Sequence, residues 1–555
     1  VGFILFISLF FHFLNNMGIF VEHPFIKENT VESRSYQEGL ARNVLEKGNS
    51  LVVAPTALGK TIVAVLVIAG VLQKNKGKIL FLAPTKPLVL QHSETIRKLM
   101  KLKESSIAVI TGAVKPPERK ELFERAIIVC STPQCIRNDL AKKRISLRGF
   151  GLVVFDEAHR AVGGYAYVPI AGEFTRSNPD GIVLGMTASP GHEKKKIREI
   201  AENLSIENFE IKSHEDADVK PYVKEIMLEW HSIDLSPEYK RLVFLLRAYL
   251  KKQLSELKRM GQVPTDNPLY FSRSRLIELQ RKISARIKKQ GRRMPSLYGI
   301  SSRIACTLMG SHALLLAETQ GAKALSEYLE KRFGDSKKQQ ASRSLRMFVK
   351  DERVKNVFIE SRKLLAENKQ HPKLLELKRI IAEELEKNPD SRILVFNHFR
   401  DSVAFLTKEV SSVKNARPTQ FIGQGKKGKA RGMSQKEQAE IIQDFSGGKF
   451  NVLVATSVAE EGLDIPNCDL VIFYEPVPSE IRYIQRRGRT GRIKKGRAII
   501  LMAKGTRDEA FYWSARRKEG KMKRVLRKMQ SGKPALHETE HKGKKKQTRL
   551  GEFNG

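Results

Sequence analysis

The sequence predicts an α/β protein of two parallel-sheet domains with an all-helical domain inserted between them. Two blocks of short, continuous apolar runs alternate with helix-like segments. A long strand-poor stretch separates the blocks, and polar or turn-forming strings follow the apolar runs. Runs that are apolar throughout, rather than alternating, point to strands buried on both faces, as in a parallel sheet. Ligands of such a sheet gather at the carboxyl ends of its strands.

The first block starts at Val31 and has runs at 51–54, 79–82, 127–129, 152–155 and 182–184. The second starts near His371, with runs at 393–396, 452–454 and 470–473. Between them, helices are expected at 239–260 and 271–289. Residues 231–370 hold 30 Lys/Arg against 13 Asp/Glu, a net charge of +17. Such a run is either a solvated helix face or a nucleic-acid contact, and its place between the blocks favours contact. The expected divisions are an apolar extension at 1–30, a first domain at 31–225, the insert at 226–370, a second domain at 371–515 and a basic, disordered tail at 516–555.

Composition narrows the partners. A chain of 555 residues is too long for one core, and its 41% hydrophobic and 29% charged content is ordinary for globular protein. The net charge of +40 is not ordinary and calls for a polyanion. Four dispersed cysteines do not make a disulfide framework, which suggests reduced thiols and a cytoplasmic setting. The apolar stretch 3–14 is shorter than the ~20 residues that span a bilayer, and no basic flank or convincing cleavage site makes it a signal peptide. We read it as an over-extended translation start with Met17 as the beginning; the alternative is a membrane anchor.

Three separated strings make chemical sense as one site. Pro55, Thr56, Ala57, Leu58, Gly59, Lys60 and Thr61 form a turn between a strand and a helix, where backbone N–H groups and the helix dipole face phosphate. Lys60 suits the β/γ-phosphates of a nucleotide and the Thr61 hydroxyl suits Mg²⁺. Asp156, ending a buried strand, would share that metal, and Glu157 would orient the attacking water. His159 has no partner at metal-ligand spacing; it is expected to couple the site to Gln485 or to the turn Thr187-Ala188-Ser189. Arg489 and Arg492, three apart on one helix face, suit a transferring phosphoryl group. Carboxylates at a strand end can also be structural caps, and a basic string can be a surface patch. Their order along the chain favours a nucleotide hydrolase closed between two lobes.

The motif set resembles the superfamily 2 helicases of DEAH/DExH type. RSYQ at 34–37, APTKPL at 83–88, STPQ at 131–134, TASPG at 187–191, FNHFR at 396–400 and ATSVAEEGLDI at 455–465 follow the family's order. The wording of 83–92, 154–162, 473–478 and 501–510 is similar to archaeal Hef, which acts on forked DNA, and to its Fanconi anaemia M-type relatives. The resemblance spans about 31–515. It implies two RecA-like lobes with a thumb-like helical insert, Gln37 at the adenine, and Gly462 and Asp464 near the nucleotide. It places Thr85, Lys86, Thr132 and Thr456 on a nucleic-acid backbone.

That resemblance implies an ATP-dependent DNA helicase or translocase for branched DNA. A double-stranded-RNA motor and a weakly catalytic branched-DNA scaffold are the competing readings. Ala57 departs from the family's usual glycine, which costs about 1 kcal/mol or more if a positive φ is needed there. Archaeal Hef carries an XPF-type nuclease with an ERK motif; here Glu118-Arg119-Lys120 falls in an expected helix of the first lobe, so no nuclease is assigned and a separately encoded one is an expected partner. Gln547, Leu550 and Phe553 have the spacing of sliding-clamp peptides, with chance as the alternative.

Overall fold

The computed structural model describes residues 20–55, 58–222, 226–268, 273–290, 295–398, 400–424, 432–456, 459, 465–477, 479 and 496–530. In the first lobe, helix α1 (Ser35–Lys47), strand β1 (Ser50–Val53), α2 (Lys60–Gln73), β2 (Lys78–Leu82) and α3 (Lys86–Leu99) come first. Then follow β3 (Ile107–Ile110), α4 (Pro116–Arg125), β4 (Ile128–Ser131), α5 (Pro133–Ala141), β5 (Phe150–Asp156), α6 (Tyr167–Ser177), β6 (Ile182–Thr187), α7 (Lys194–Asn203) and β7 (Asn208–Ile211). All seven strands are parallel, in the order β3-β4-β2-β5-β6-β1-β7. Val52 and Ala54 pack into the core on one face while Leu51 and Val53 pack into the other, as two-sided burial requires.

Strand β8 (Ile226–Ile233) leads into six helices: α8 (Pro237–Arg259), α9 (Arg273–Gln290), α10 (Pro295–Thr319), α11 (Ala322–Ser336), α12 (Arg343–Lys350) and α13 (Glu352–Ala366). Leu242, Leu246 and Tyr249 of α8 meet Ala313, Leu314 and Ala317 of α10 in the insert's core. Helix α10 is long and apolar enough to cross a membrane by length and composition, but 56% of its most apolar window is buried inside the protein.

The second lobe holds α14 (Pro372–Lys387), β9 (Ile393–Phe396), α15 (Arg400–Val410), β10 (Pro418–Phe421), α16 (Gln435–Ser446), β11 (Val452–Ala455), β12 (Leu470–Phe473), β13 (Gly496–Ala503) and α17 (Arg507–Gln530). Its parallel sheet has the order β10-β11-β9-β12-β13-β8. The architecture is two RecA-like lobes with a helical bundle between them.

Three boundaries differ from expectation. Strand β8 falls inside the segment 226–370 expected to be all helical, yet it pairs with β13 from Ile226 to Ile233 and completes the second sheet. Residues 516–530 were expected in a disordered tail but continue α17, because Tyr512, Ala515, Glu519, Met522 and Leu526 form a buried stripe at helical spacing. Part of the apolar extension is also docked: Val21 N–H donates to Val31 and Ile26 is buried in the first lobe's core. All four cysteines are buried free thiols, and burial pushes Cys130 up to about 12.

Candidate nucleotide site

Strand register sets the floor of the site. Val53 pairs with Thr187 across β1 and β6, and Asp156 pairs with Met186 across β5 and β6. The phosphate loop, the carboxylate pair and the Thr187 turn therefore leave the sheet at one level. Gly59 caps α2 in the left-handed region, at φ 66° and ψ 44°. A Cβ there would lie 2.6 Å from Gln37 Nε2, so the position excludes side chains on conformation and on space.

Gln37 is 3% exposed, and its amide donates to the Leu58 carbonyl at 3.1 Å. Tyr36 donates its phenol to the same carbonyl at 3.2 Å. Gln37 thus braces the phosphate loop from behind. Lys60 Nζ donates to the Ala54 carbonyl at 2.9 Å, so its ammonium curls over the loop it follows. Pro55 is half-buried, and Thr61 is half-buried in the first turn of α2.

Asp156 is buried at the end of β5, where His92 Nε2 on α3 donates to Oδ2 at 3.0 Å. Burial alone would raise its carboxyl, but His92 and Lys60 outweigh that and hold it below the usual range. Tyr167 donates its phenol to the Asp156 main-chain carbonyl at 2.6 Å, fixing the strand end. Burial and the neighbouring Asp156 push that phenol well above its ordinary value.

Glu157 takes a left-handed backbone, φ 50° and ψ 48°, a sparsely populated conformation for this residue type. His159 Nδ1 lies 3.2 Å from Glu157 Oε2 and also 3.2 Å from Thr187 Oγ1. Only the threonine contact is aligned as a hydrogen bond, and Glu157 Oε2 remains buried without one. A buried carboxylate oxygen with open acceptor capacity fits a group that receives a water proton. The Thr187 hydroxyl also accepts from Ser189 N–H at 3.1 Å, while Ser189 donates to Met522 Sδ of α17 at 2.9 Å. Among the described residues, the structure brings His159 to the expected Thr187, while Gln485, the other expected partner, lies outside them.

No group of three or more His, Cys, Asp or Glu forms a metal cage among the described residues. That fits Mg²⁺, which is held by one or two protein oxygens together with substrate phosphates and water. Asp156 and Thr61 are the residues expected to hold it.

The four residues expected at a nucleic-acid backbone sit at strand-to-helix turns. Thr85 and Lys86 start α3, and Thr132 caps α5 with its hydroxyl donating to Cys135 Sγ at 3.3 Å. Thr456 follows β11. The Thr85 hydroxyl is buried without a hydrogen-bond partner. Thr56, Ala57, Gly462, Asp464, Gln485, Arg489, Arg492, Gln547, Leu550 and Phe553 lie outside the described residues. Arg119, in the ERK string, forks onto Asp139 at 2.7 and 2.8 Å, a structural pair inside the first lobe.

Sequence reasoning missed His92, Tyr167 and a buried polar chain linking insert to second lobe. In that chain Asn397 donates to Gln320 at 3.3 Å, and Gln320 donates to Glu475 at 3.3 Å. His92 had a signal: it is the lone ionisable residue on the stripe Val89, His92, Ile96, Leu99 that α3 buries.

Residues 34–197 match the family model of DEAD/DEAH box helicases, and 373–494 match the helicase conserved C-terminal domain. Residues 238–370 match a model described, provisionally, as an ATP-dependent RNA helicase helical bundle. Two sheets flanking a phosphate loop and an Asp-Glu pair, with this bundle between, define a superfamily 2 helicase core. The crystal structure of the Pyrococcus furiosus Hef helicase domain is similar, with a TM-score of 0.70 and 42% identity, covering 88% of this chain and 100% of that one. The chain belongs to the Hef helicase family.

Among curated relatives, a protein of Methanocaldococcus jannaschii named provisionally as the ATP-dependent RNA helicase MJ1505 is 40% identical over 92% of this chain and 63% of its own length. The ATP-dependent DNA helicase fml1 of Schizosaccharomyces pombe is 31% identical over 88% of this chain and 58% of its own. The DEAD-box ATP-dependent DNA helicase Fancm of Drosophila melanogaster is 30% identical over 88% and 34%. The chain thus spans 63% or less of the length of these relatives.

Proposed function

We propose that this protein is an ATP-dependent DNA helicase or translocase that acts on branched or fork-structured DNA. The observation that carries the reading is Glu157: half-buried, in a left-handed backbone conformation and with one buried carboxylate oxygen outside any hydrogen bond, beside an Asp156 held ionised. ATP would sit on the N–H groups at Gly59–Thr61, with Lys60 leaving the Ala54 carbonyl for phosphate. Asp156 and Thr61 would hold Mg²⁺, which supplies charge neutralisation at the phosphates when bound. Glu157 would accept the proton of the attacking water, and Arg489 and Arg492 would complete the site from the second lobe. Thr85, Lys86, Thr132 and Thr456 would follow one DNA backbone across both lobes. A sliding clamp bound through Gln547, Leu550 and Phe553, and a separate nuclease, are further proposed partners.

DNA as the polymer rests on the names of most relatives and on the Hef helicase domain, which this chain covers completely. A second reading, a motor on duplex RNA, is supported by the names of the helical-bundle model and of MJ1505. ATP turnover measured with forked DNA, linear duplex DNA and duplex RNA separates them. Forked DNA should stimulate most; stimulation by RNA alone would overturn the DNA reading. Turnover that stays at background with every polymer would favour the scaffold.

A further inference from the structure

Helix α17 crosses from one lobe to the other. Its first half places Tyr512 and Ala515 in the second lobe's core, and its second half places Met522 and Leu526 in the first lobe's core. It packs on β13 at one end and on β7 at the other. Strand β7 is an edge of the first sheet, and the neighbour of β13, strand β8, is an edge of the second. The turns expected to meet DNA follow β2, β4 and β11, in the opposite halves of those sheets. The face of α17 turned away from both lobes is therefore a separate surface.

That face has an unusual chemistry. The helix holds nine Lys/Arg and three Asp/Glu, but Asp508 and Glu519 are buried on its inner side and Glu509 precedes the stripe by a turn. Turning 100° per residue, Trp513, Arg516, Arg517, Lys521 and Arg524 share the outer arc, and all five are exposed. Among the described ion pairs, those α17 makes toward the first lobe, Lys523 and Arg527 with Glu215, flank Arg524 at the C-terminal end of the stripe. At the head of the stripe Trp513 is 56% exposed and Trp230 on β8 is 57% exposed. Both rings lean on buried Tyr512, at centroid distances of 5.1 and 6.4 Å. These are the chain's only two tryptophans.

A solvated basic helix needs no exposed tryptophan pair at its end. Cations in a row with open aromatic planes are the combination that holds a single strand, phosphates on the charges and unpaired bases on the rings. We propose that the outer face of α17, with Trp513 and Trp230 as its stacking end, is a second nucleic-acid surface that takes a single-stranded arm of the branched substrate. This rests on the branched-DNA reading above and adds where one arm goes. A duplex would offer the stripe its phosphates but no base faces to the tryptophans.

The two tryptophans provide their own probe. The full-length Trp230→Phe variant leaves Trp513 as the sole indole, and its emission is followed as an oligothymidylate of about twelve nucleotides is added. Quenching should saturate in step with binding measured by anisotropy of a labelled oligonucleotide. Duplex of equal charge, or polyglutamate, should leave the emission unchanged. Replacing Arg517, Lys521 and Arg524 by alanine in that background should abolish the quench and weaken single-strand binding at least tenfold. The salt-dependence slope should also fall by about 0.7 for every phosphate that the variant no longer neutralises. Binding without quenching, or an equal quench by polyglutamate, would overturn the proposal. Wild-type turnover indifferent to forked DNA would instead refute the functional reading on which it stands, so the two failures are told apart.

Discussion

His92 Nε2 on α3 sits 3.0 Å from Asp156 Oδ2, and both side chains are buried. Helix α3 begins at the turn that carries Thr85 and Lys86, so one rigid element touches both the expected nucleic-acid track and the expected metal-binding carboxylate. Removing His92 would leave Asp156 buried without its side-chain hydrogen-bond donor. Partners that orient metal ligands in this way are worth about 10–100-fold in metal affinity or activity when removed. His92→Ala should therefore raise the Mg²⁺ concentration for half-maximal ATP turnover by that order. His92→Gln, which restores a donor, should recover most of it. Unchanged Mg²⁺ dependence in His92→Ala would show that the contact does not orient the carboxylate.

In the proposed mechanism Glu157 would move a proton, whereas Lys60 and Gly59 would hold phosphate. Glu157→Gln keeps the shape and removes the base, so turnover should fall about 10²–10⁴-fold with nucleotide binding retained. Single-turnover hydrolysis and a nucleotide-binding titration measure the two separately. Parallel losses in both would instead mean that Glu157 only supports the loop.

Much of this site can be read from residue order, and the rest cannot, for physical reasons. Sheet strands declare themselves because a strand buried on both faces must be apolar throughout, and the polar strings after 51–54 and 152–155 mark where the ligand end lies. Strand β8 hides: exposed side chains at Met227, Trp230 and Ser232, with polar ones at Glu229 and His231, are what an edge strand shows, and they break the apolar run. Helix α17 hides for a similar reason, since its buried stripe includes Asp508 and Glu519 and its remaining faces are crowded with Lys and Arg. The pairs His92–Asp156 and Gln320–Glu475 join residues 64 and 155 positions apart, which only the folded topology brings together.

Gly59 is excluded from substitution for two separable reasons. Gly59→Ala must adopt a positive φ, at roughly 1–2 kcal/mol, and must also displace Gln37 Nε2 from 2.6 Å. Adding Gln37→Ala removes the second obstacle and leaves the first. Nucleotide affinity should fall sharply in Gly59→Ala and recover partly in the double variant, with a non-additive coupling between the sites. Strict additivity would mean that Gln37 does not brace the loop.

His371 joins the insert to the second lobe. Its Nδ1 accepts from Lys373 N–H at 3.2 Å, capping α14, and its ring meets Tyr239 edge-on at 4.7 Å. Burial, with help from the nearby Lys373 ammonium, lowers its pKa to about 3 from an ordinary 6.5. Between those values the unfolded chain binds a proton that the folded one rejects, so stability rises with pH across the window and is complete above about 6.5. Falling from pH 6.5 to 5 should cost about 2 kcal/mol from this group, at 1.36 kcal/mol per unit. His371→Asn keeps a good capping residue and removes the titration. The urea midpoint of wild type should therefore fall below that of the variant as pH drops from 7.5 to 5, while the two converge or cross near neutrality. Parallel curves over the whole range would show that His371 is protonated equally in both states and that the buried cap does not exclude the proton.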